Sequence, residues 1–409
     1  MSIYFIFSKT DSAFSLNKMF HLFNLFFLGI APYLQFNEKI SFFGARLLEE
    51  YEYFFMNILI IVIIISYQFL YELFLKIKLS EKNTSFTRKF EINPNLSSFQ
   101  ICLLILLSLF SFLMVYKANN SNLLSMLVRG GALKEYATQS QSASLIIFRV
   151  FQPMSMMILL YYILTKSKNI TVYVVLGLLA LITCFPLAMP RFAAAAIYIP
   201  FIFTTMPILR KKNIFSLVFI LGFLVVFPFL NNFRYFNENN TLSLGFDFSM
   251  FTEGHFDSYQ NFALIVTEDI VTWGRQLLGV LLFWLPRSIW PSKPIGSGAF
   301  IAEIEGFHFD NVSCNYFAEG YVNWGLPGIL LFIMILAYVT SRLDKYYWKS
   351  LVIEKNNYFQ VIYYVLIGMF FFILRGDLMS SFAFTIGFII SIWIVNKIGG
   401  LNIKWKSIH

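Results

Sequence analysis

The residues of this chain whose types and placement suggest chemistry are six arginines, one lysine and one glutamate. Arg149 lies inside an apolar run, Arg191 follows Met-Pro, Arg234 sits in NNFRYF, Arg275 precedes an apolar decapeptide, Arg287 sits in LPRSIW and Arg375 in LRGDL. An arginine facing lipid costs roughly a few kcal/mol on insertion scales, so one kept within a span normally faces protein or a wet cavity. Its planar guanidinium grips phosphate bidentately while staying charged. Arginines gathered at one membrane boundary therefore suit a membrane-embedded anion, a lipid phosphate or diphosphate. The plainer alternative for each is snorkelling to head groups or pairing with a nearby acid, as Arg375 with Asp377.

Two neighbouring motifs carry the rest. In PRSIWPSKPIGSG, from Pro286 to Gly298, prolines flank Ser292-Lys293 and limit backbone freedom, and the glycines let a backbone approach a ligand closely. Lys293 would add a compact charge to a phosphate site; the alternative is a solvated lysine on a rigid loop. In NYFAEGYVNWGLPG, Glu319 stands among Tyr316, Tyr321 and Trp324 and is the first candidate for a general base towards a hydroxyl. Capping a helix or pairing with arginine is its competing role. His308 is a second candidate base. Trp273, Trp284, Trp290 and Trp324 put four of the seven tryptophans in this region. Interface anchoring explains them, and stacking on sugar rings is the functional reading, with Trp290, Tyr321, Trp324 and His308 as the candidate sugar contacts.

Several classes drop out. There is no P-loop, no GxGxxG, no HExxH and no Cys/His cluster, so neither a nucleotide nor a resident metal or other cofactor is expected. Glu303 and Glu305 lack a third ligand for a divalent cation. Cys102, Cys184 and Cys314 form no disulfide framework.

The elements that must position these residues are membrane helices. The chain of 409 residues is 58% hydrophobic with 50 phenylalanines, too apolar for a soluble protein. Apolar runs at 19–36, 54–76, 99–117, 144–165, 169–188, 191–209, 214–230, 326–343, 357–374 and 378–397 predict an all-α polytopic fold of about ten spans. Continuous runs without alternation exclude barrel strands. The first run reads as an uncleaved anchor. Alternate connections hold 19 of the 31 cations against six of the 22 acids, which makes that side cytoplasmic, with both termini on it. The net charge of +9 is thus a topology signal, and nucleic acid is not an expected partner.

The same parity makes 231–325 one large external loop, with about 258–285 expected as a helix lying in the outer interface. Residues 37–53 read as a short amphipathic helix with an acidic face, and 118–143 as a polar loop with a glycine turn. With no repeat, residues 1–409 read as a single membrane domain.

PRSIWPSKPIGSG, then NYFAEGYVNWGLPG at a span entrance, then RGDL between the last two spans, resemble the Wzy-type O-antigen polymerases, the oligosaccharide repeat-unit polymerases. MPRFAAAA and NNFRYF sit where that family tends to carry arginines. The resemblance implies a bacterial inner-membrane glycosyltransferase with the integral-membrane fold shared with O-antigen ligases. It would move a growing glycan from undecaprenyl diphosphate to the non-reducing end of a new lipid-linked repeat unit on the periplasmic face, with a chain-length regulator as partner. Diphosphate binding would fall to Arg191, Arg287 and Arg375, supported by Arg149, Arg234 and Lys293, with Glu319, Arg287 and Arg375 catalytic. The competing readings are an O-antigen ligase, a metal-dependent polyprenyl-phosphate-sugar glycosyltransferase using Glu49, Glu50 and Glu52, and a lipid-linked oligosaccharide flippase. Against the last, charges gather at the outer edge rather than the midplane.

Overall fold

The computed structural model describes residues 1–7, 13–77, 90, 92–127, 147–165, 167, 169–211, 213–226, 248–353 and 357–401. Its ordered elements are helices, and no strand occurs among the described residues. Among the described residues, six helices are long and apolar enough to cross a bilayer: α1 (Leu16–Glu38), α2 (Glu50–Lys76), α3 (Ser98–Ala118), α4 (Ile147–Leu164), α11 (Tyr316–Ile353) and α13 (Leu378–Gly399). Four shorter apolar helices fall on the other expected spans: α5 (Ile170–Thr183), α6 (Arg191–Thr205), α7 (Ile214–Val225) and α12 (Phe359–Arg375). The described residues between α7 and α11 include the short α-helices α8 (Ser258–Thr267), α9 (Arg275–Leu281) and α10 (Ser297–Ile304).

Local sequence explains where the long helices begin. The β-branched run of α2 is a weak helix former in water, but in lipid only a helix satisfies the backbone within one segment. Its start is a capping box in which the Glu49 N–H donates to the Glu52 carboxylate at 2.7 Å. Ser97 and Gln100 form the equivalent box ahead of α3.

Two expectations are corrected here. Residues 40–49 do not form an amphipathic helix: the chain leaves α1 through Lys39 at φ 52° and runs irregularly to Glu49. Glu50 and Glu52 belong instead to the first turn of α2, where acids suit the helix dipole. The stretch 258–285 is not one interfacial helix either. It breaks into α8, buried along Ser258–Val266, and α9, with Asp269, Trp273 and Gly274 at positive φ in the turn between them. From α8, Asn261 Nδ2 donates to Ser313 O, and just beyond its end Asp269 accepts from Tyr321 Oη at 2.8 Å.

The chain forms two compact units. The first comprises Met1–Lys78, Met206–Tyr346 and Phe370–Ala383. The end of α1 and the connection after it dock on residues 248–325: Gln35 Nε2 donates to the carbonyls of Phe251 and Phe256, and the Phe42 N–H to Gln260 Oε1. The second comprises Leu79–Thr205, Tyr347–Met369 and Phe384–His409. There α3, α4 and α5 pack on one another, and Gly387 gives the Arg149 backbone room for close approach.

α11 is broken in a way its sequence demands. Trp324 and Gly325 leave helical geometry, and Gly325 adopts φ 62°, ψ −148°, a region essentially restricted to glycine. The break folds the segment back so that a Cβ on Gly328 would strike the Gly320 carbonyl, and one on Gly320 the Gly328 carbonyl. The spacing EGYVNWGLPG is thus a backbone-to-backbone contact written in glycines. Gly328→Ala is expected to cost about 1–3 kcal/mol, because neither carbonyl can yield without moving the kink. Thermal unfolding of the detergent-solubilised protein checks it, and an unchanged melting temperature would remove the contact from the account.

Candidate functional site

The candidate site is built on PRSIWPSKPIGSG, which the first unit holds from several sides. Gly279 of α9 lies against Pro294 and Met379, so tightly that a Cβ there would overlap both. Gly296 lies against the Asp377 carboxylate, and a side chain at Gly298 would strike the Val312 carbonyl. Lys293 Nζ donates to the carbonyls of Phe283 at 2.6 Å and Leu285 at 2.9 Å, just beyond the end of α9. Arg287 Nη1 donates to Lys293 O at 2.7 Å and Nη2 to Pro294 O at 3.3 Å. The two cations thereby set the shape of the loop.

Glu319 fastens this loop to two helices. Its side chain is 0% exposed; one oxygen accepts from Ser297 Oγ at 2.8 Å and the other from the Leu378 N–H at 2.7 Å. One carboxylate thus joins the starts of α10 and α13 to α11. No ion pair involves it among the described residues. The geometry is that of a positioning group, since neither oxygen is open to a substrate hydroxyl.

Arg375 and Asp377 do not pair. Arg375 donates through Nη2 to Asp257 Oδ1 at 3.0 Å and through Nε to His255 O at 2.9 Å, whereas Asp377 accepts from the Ser380 N–H at the start of α13. Asp257 is fully buried, and its second oxygen holds the Ser313 N–H at 2.8 Å. This ion pair locks the segment before α8 to the end of α12.

The loop, α9 and α10 enclose a cleft of about 420 Å³ lined by Thr272, Arg275, Gln276, Lys293, Phe300 and Glu303, with Pro294 and Ile295 completing it. Arg275 is exposed, and its side chain donates from Nη2 to Ser292 O at 3.2 Å. Glu303 is exposed as well. The cleft therefore offers two cations and an accessible carboxylate beside the Phe300 ring, an arrangement that can hold an anion and accept a proton.

The other sequence-named residues are dispersed. Trp290 Nε1 donates to Ser292 Oγ, Trp324 lies against Gly274 at the break in α11, and Tyr321 is buried against Asp269. His308 is exposed beside Phe43, away from the cleft lining. Arg149 and Arg191 belong to the second unit, Arg149 in a π-helical turn over the Phe384 ring at 5.0 Å and Arg191 at the first residue of α6. Arg234 lies outside the described residues.

An acidic group surrounds Arg46, which meets the Glu52 carboxylate at 2.7 Å and Glu268 at 3.1 Å. Burial raises the Glu305 carboxyl above its usual range, Glu268 adds to the shift and Arg46 opposes it. Glu52, engaged by both Arg46 and the Glu49 N–H, is fixed as a structural acid.

Sequence reasoning missed Gln276 and undervalued Arg275 and Glu303. Nothing local in the sequence showed that Arg275, Gln276 and Glu303 line one cleft. No protein-family model, curated protein or solved structure matches the chain.

Proposed function

We propose that the chain is an inner-membrane glycosyltransferase that polymerises lipid-linked oligosaccharide repeat units on the periplasmic face, as O-antigen polymerases do. In this reading all ten apolar helices cross the bilayer, both termini are cytoplasmic, and a chain-length regulator is a partner. The observation that carries it is the cleft lined by Arg275, Lys293 and Glu303, on the segment that this reading puts on the periplasmic side. Diphosphate is a leaving group whose charge grows as its bond to the anomeric carbon breaks, so fixed cations beside it lower the barrier. The acceptor hydroxyl oxygen bonds to that carbon, the C–O bond to diphosphate breaks, and Glu303 takes the hydroxyl proton. Glu319, Arg287 and Arg375 hold the cleft in shape. The metal-dependent polyprenyl-phosphate-sugar reading gains nothing here, because Glu52 is spent on Arg46.

The test uses purified protein in nanodiscs, supplied with lipid-linked repeat units extracted from a host strain lacking the chain. Arg275→Ala is expected to lower turnover about 10- to 100-fold, the worth of one charged hydrogen bond to the leaving group, with unfolding unchanged. Wild-type turnover in that variant would overturn the cleft assignment.

A further inference from the structure

Large apolar side chains on and around α9 stand open: Trp273, Leu278, Leu281, Trp284 and Ile289 are 53–81% exposed. The helical period sorts α9 itself into two arcs. Gln276, Gly279 and Val280 lie on one and are buried, whereas Arg275, Leu278 and Leu281 lie on the other and are exposed. A helix facing water carries polar residues on its outer arc, and this one carries leucines.

The fold shows what lies beside that arc. Gly279 meets Met379, and the Phe283 ring stands edge-on to Phe382 at 6.0 Å, so the end of α9 packs on the beginning of α13. At the other end the Gly274 N–H donates to Asn323 O at 2.9 Å, and Gly274 lies against the Trp324 ring at the break in α11. Just past that break α11 exposes Leu326, Leu330, Met334 and Tyr338 at four-residue steps, the stripe by which a span faces lipid. α9 therefore lies at the ends of two span-length helices, beside the start of a lipid-facing stripe. Trp273 and Trp284 flank it with the amphipathic rings typical of the water–lipid boundary, and Arg275 supplies a cation for lipid phosphate.

We propose that the exposed arc of α9 is immersed in the bilayer at the boundary between head groups and acyl chains, and that the cleft therefore opens at the level of the lipid phosphates. Arg275 joins the two statements, because it stands on the arc and also lines the cleft. An amphiphile held there keeps its chain in the leaflet while its phosphate reaches Arg275; a water-soluble sugar phosphate has no such second hold. α8, buried along its length on protein, takes no part in this contact. The inference needs the long helices to cross a bilayer and does not depend on the polymerase reading.

The experiment measures depth. Exposed Cys102 is removed as Cys102→Ser, Cys184 and Cys314 being buried, and Leu278→Cys, Leu281→Cys, Trp284→Cys and Glu303→Cys are labelled singly with a nitroxide. Each protein is placed in nanodiscs of phosphatidylethanolamine and phosphatidylglycerol. Relaxation of the label by oxygen, which enters lipid, is compared with relaxation by a nickel chelate, which stays in water, on a scale set by spin-labelled phospholipids. The expected result is that the labels at 278, 281 and 284 lie about 5–10 Å below the phosphates, the depth of an interfacial helix, and that the label at 303 lies at their level. Labels on the arc relaxed by the chelate as in free water would overturn the proposal. Labels shielded from both agents would overturn it too, since protein, such as a second copy of the chain, would then cover the arc. A label at 303 that reads as bulk water would overturn the placement of the cleft. A second measurement needs no label: the fluorescence of Trp284, taken as wild type minus Trp284→Phe, is expected to be quenched by phospholipid brominated near its carbonyls, and unquenched emission would contradict immersion. Polymer synthesis by the wild type is scored separately: lipid-deep labels in a protein that makes no polymer would defeat the polymerase reading and leave the immersion of α9 standing.

Discussion

Arg375→Ala is expected to destabilise the protein by about 3–5 kcal/mol, the usual loss when one partner of a buried ion pair is removed. The size follows from what stays behind. Asp257 is 0% exposed and keeps its bonds to the Ser313 N–H and Asn261 Nδ2, but loses its only ion-pair partner among the described residues. His255 O loses the Nε donor at the same time. The arginine side chain is 28% exposed, so the salt bridge is partly screened from one side, and the larger part of the loss comes from the aspartate. Replacing both partners by neutral residues, Asp257→Asn with Arg375→Gln, should recover more than half of it. Thermal unfolding of the solubilised protein measures both. A variant that melts like the wild type yet makes no polymer would show that the guanidinium serves the ligand instead of Asp257.

The second large effect separates two roles for Glu319. A general base cannot be replaced by an amide, whereas a carboxylate that only accepts hydrogen bonds can be. Glu319→Gln retains an acceptor for the Leu378 N–H and an amide that can donate to Ser297 Oγ. It is expected to fold and to keep at least about a third of wild-type turnover, far above the 10²- to 10⁴-fold loss that follows removal of a general base. Glu319→Leu leaves the Leu378 N–H and Ser297 hydroxyl without their acceptors in a dry site. It is expected to lose about 3–5 kcal/mol through two unsatisfied groups and local misfit, and turnover with it. Collapse of activity in the folded glutamine variant would restore Glu319 as the base and displace Glu303.

The helices were legible because lipid leaves a backbone one local solution, so apolar runs such as 54–76 and 99–117 translate directly into α2 and α3. The glycines of PRSIWPSKPIGSG also mark close approach, with Gly296 against the Asp377 carboxylate and Gly298 against the Val312 carbonyl. Failures came where tertiary partners override local pattern. The segment 258–285 reads as interfacial because Arg275, Asp269 and Glu268 interrupt its apolar residues; Tyr321 and Arg46 bring partners for the two acids from distant sequence. Arg375 illustrates the same limit, since Asp377 is two residues away and Asp257 is 118, yet the distant acid is the partner. Glu319 was singled out for its aromatic neighbours, and no local feature could reveal that Ser297 and Leu378 occupy both its oxygens. Gln276 went unnoticed because a lone glutamine in an apolar run carries no motif; only the fold shows that it lines the cleft.

The central claim is tested most directly by deleting the gene in its own host and resolving the lipopolysaccharide on a gel. Polymerisation predicts loss of the ladder with retention of a band carrying core plus one repeat unit, because flipping and ligation must still operate to produce that band. Loss of every band above the core would contradict the polymerase account and assign the chain to export or ligation instead.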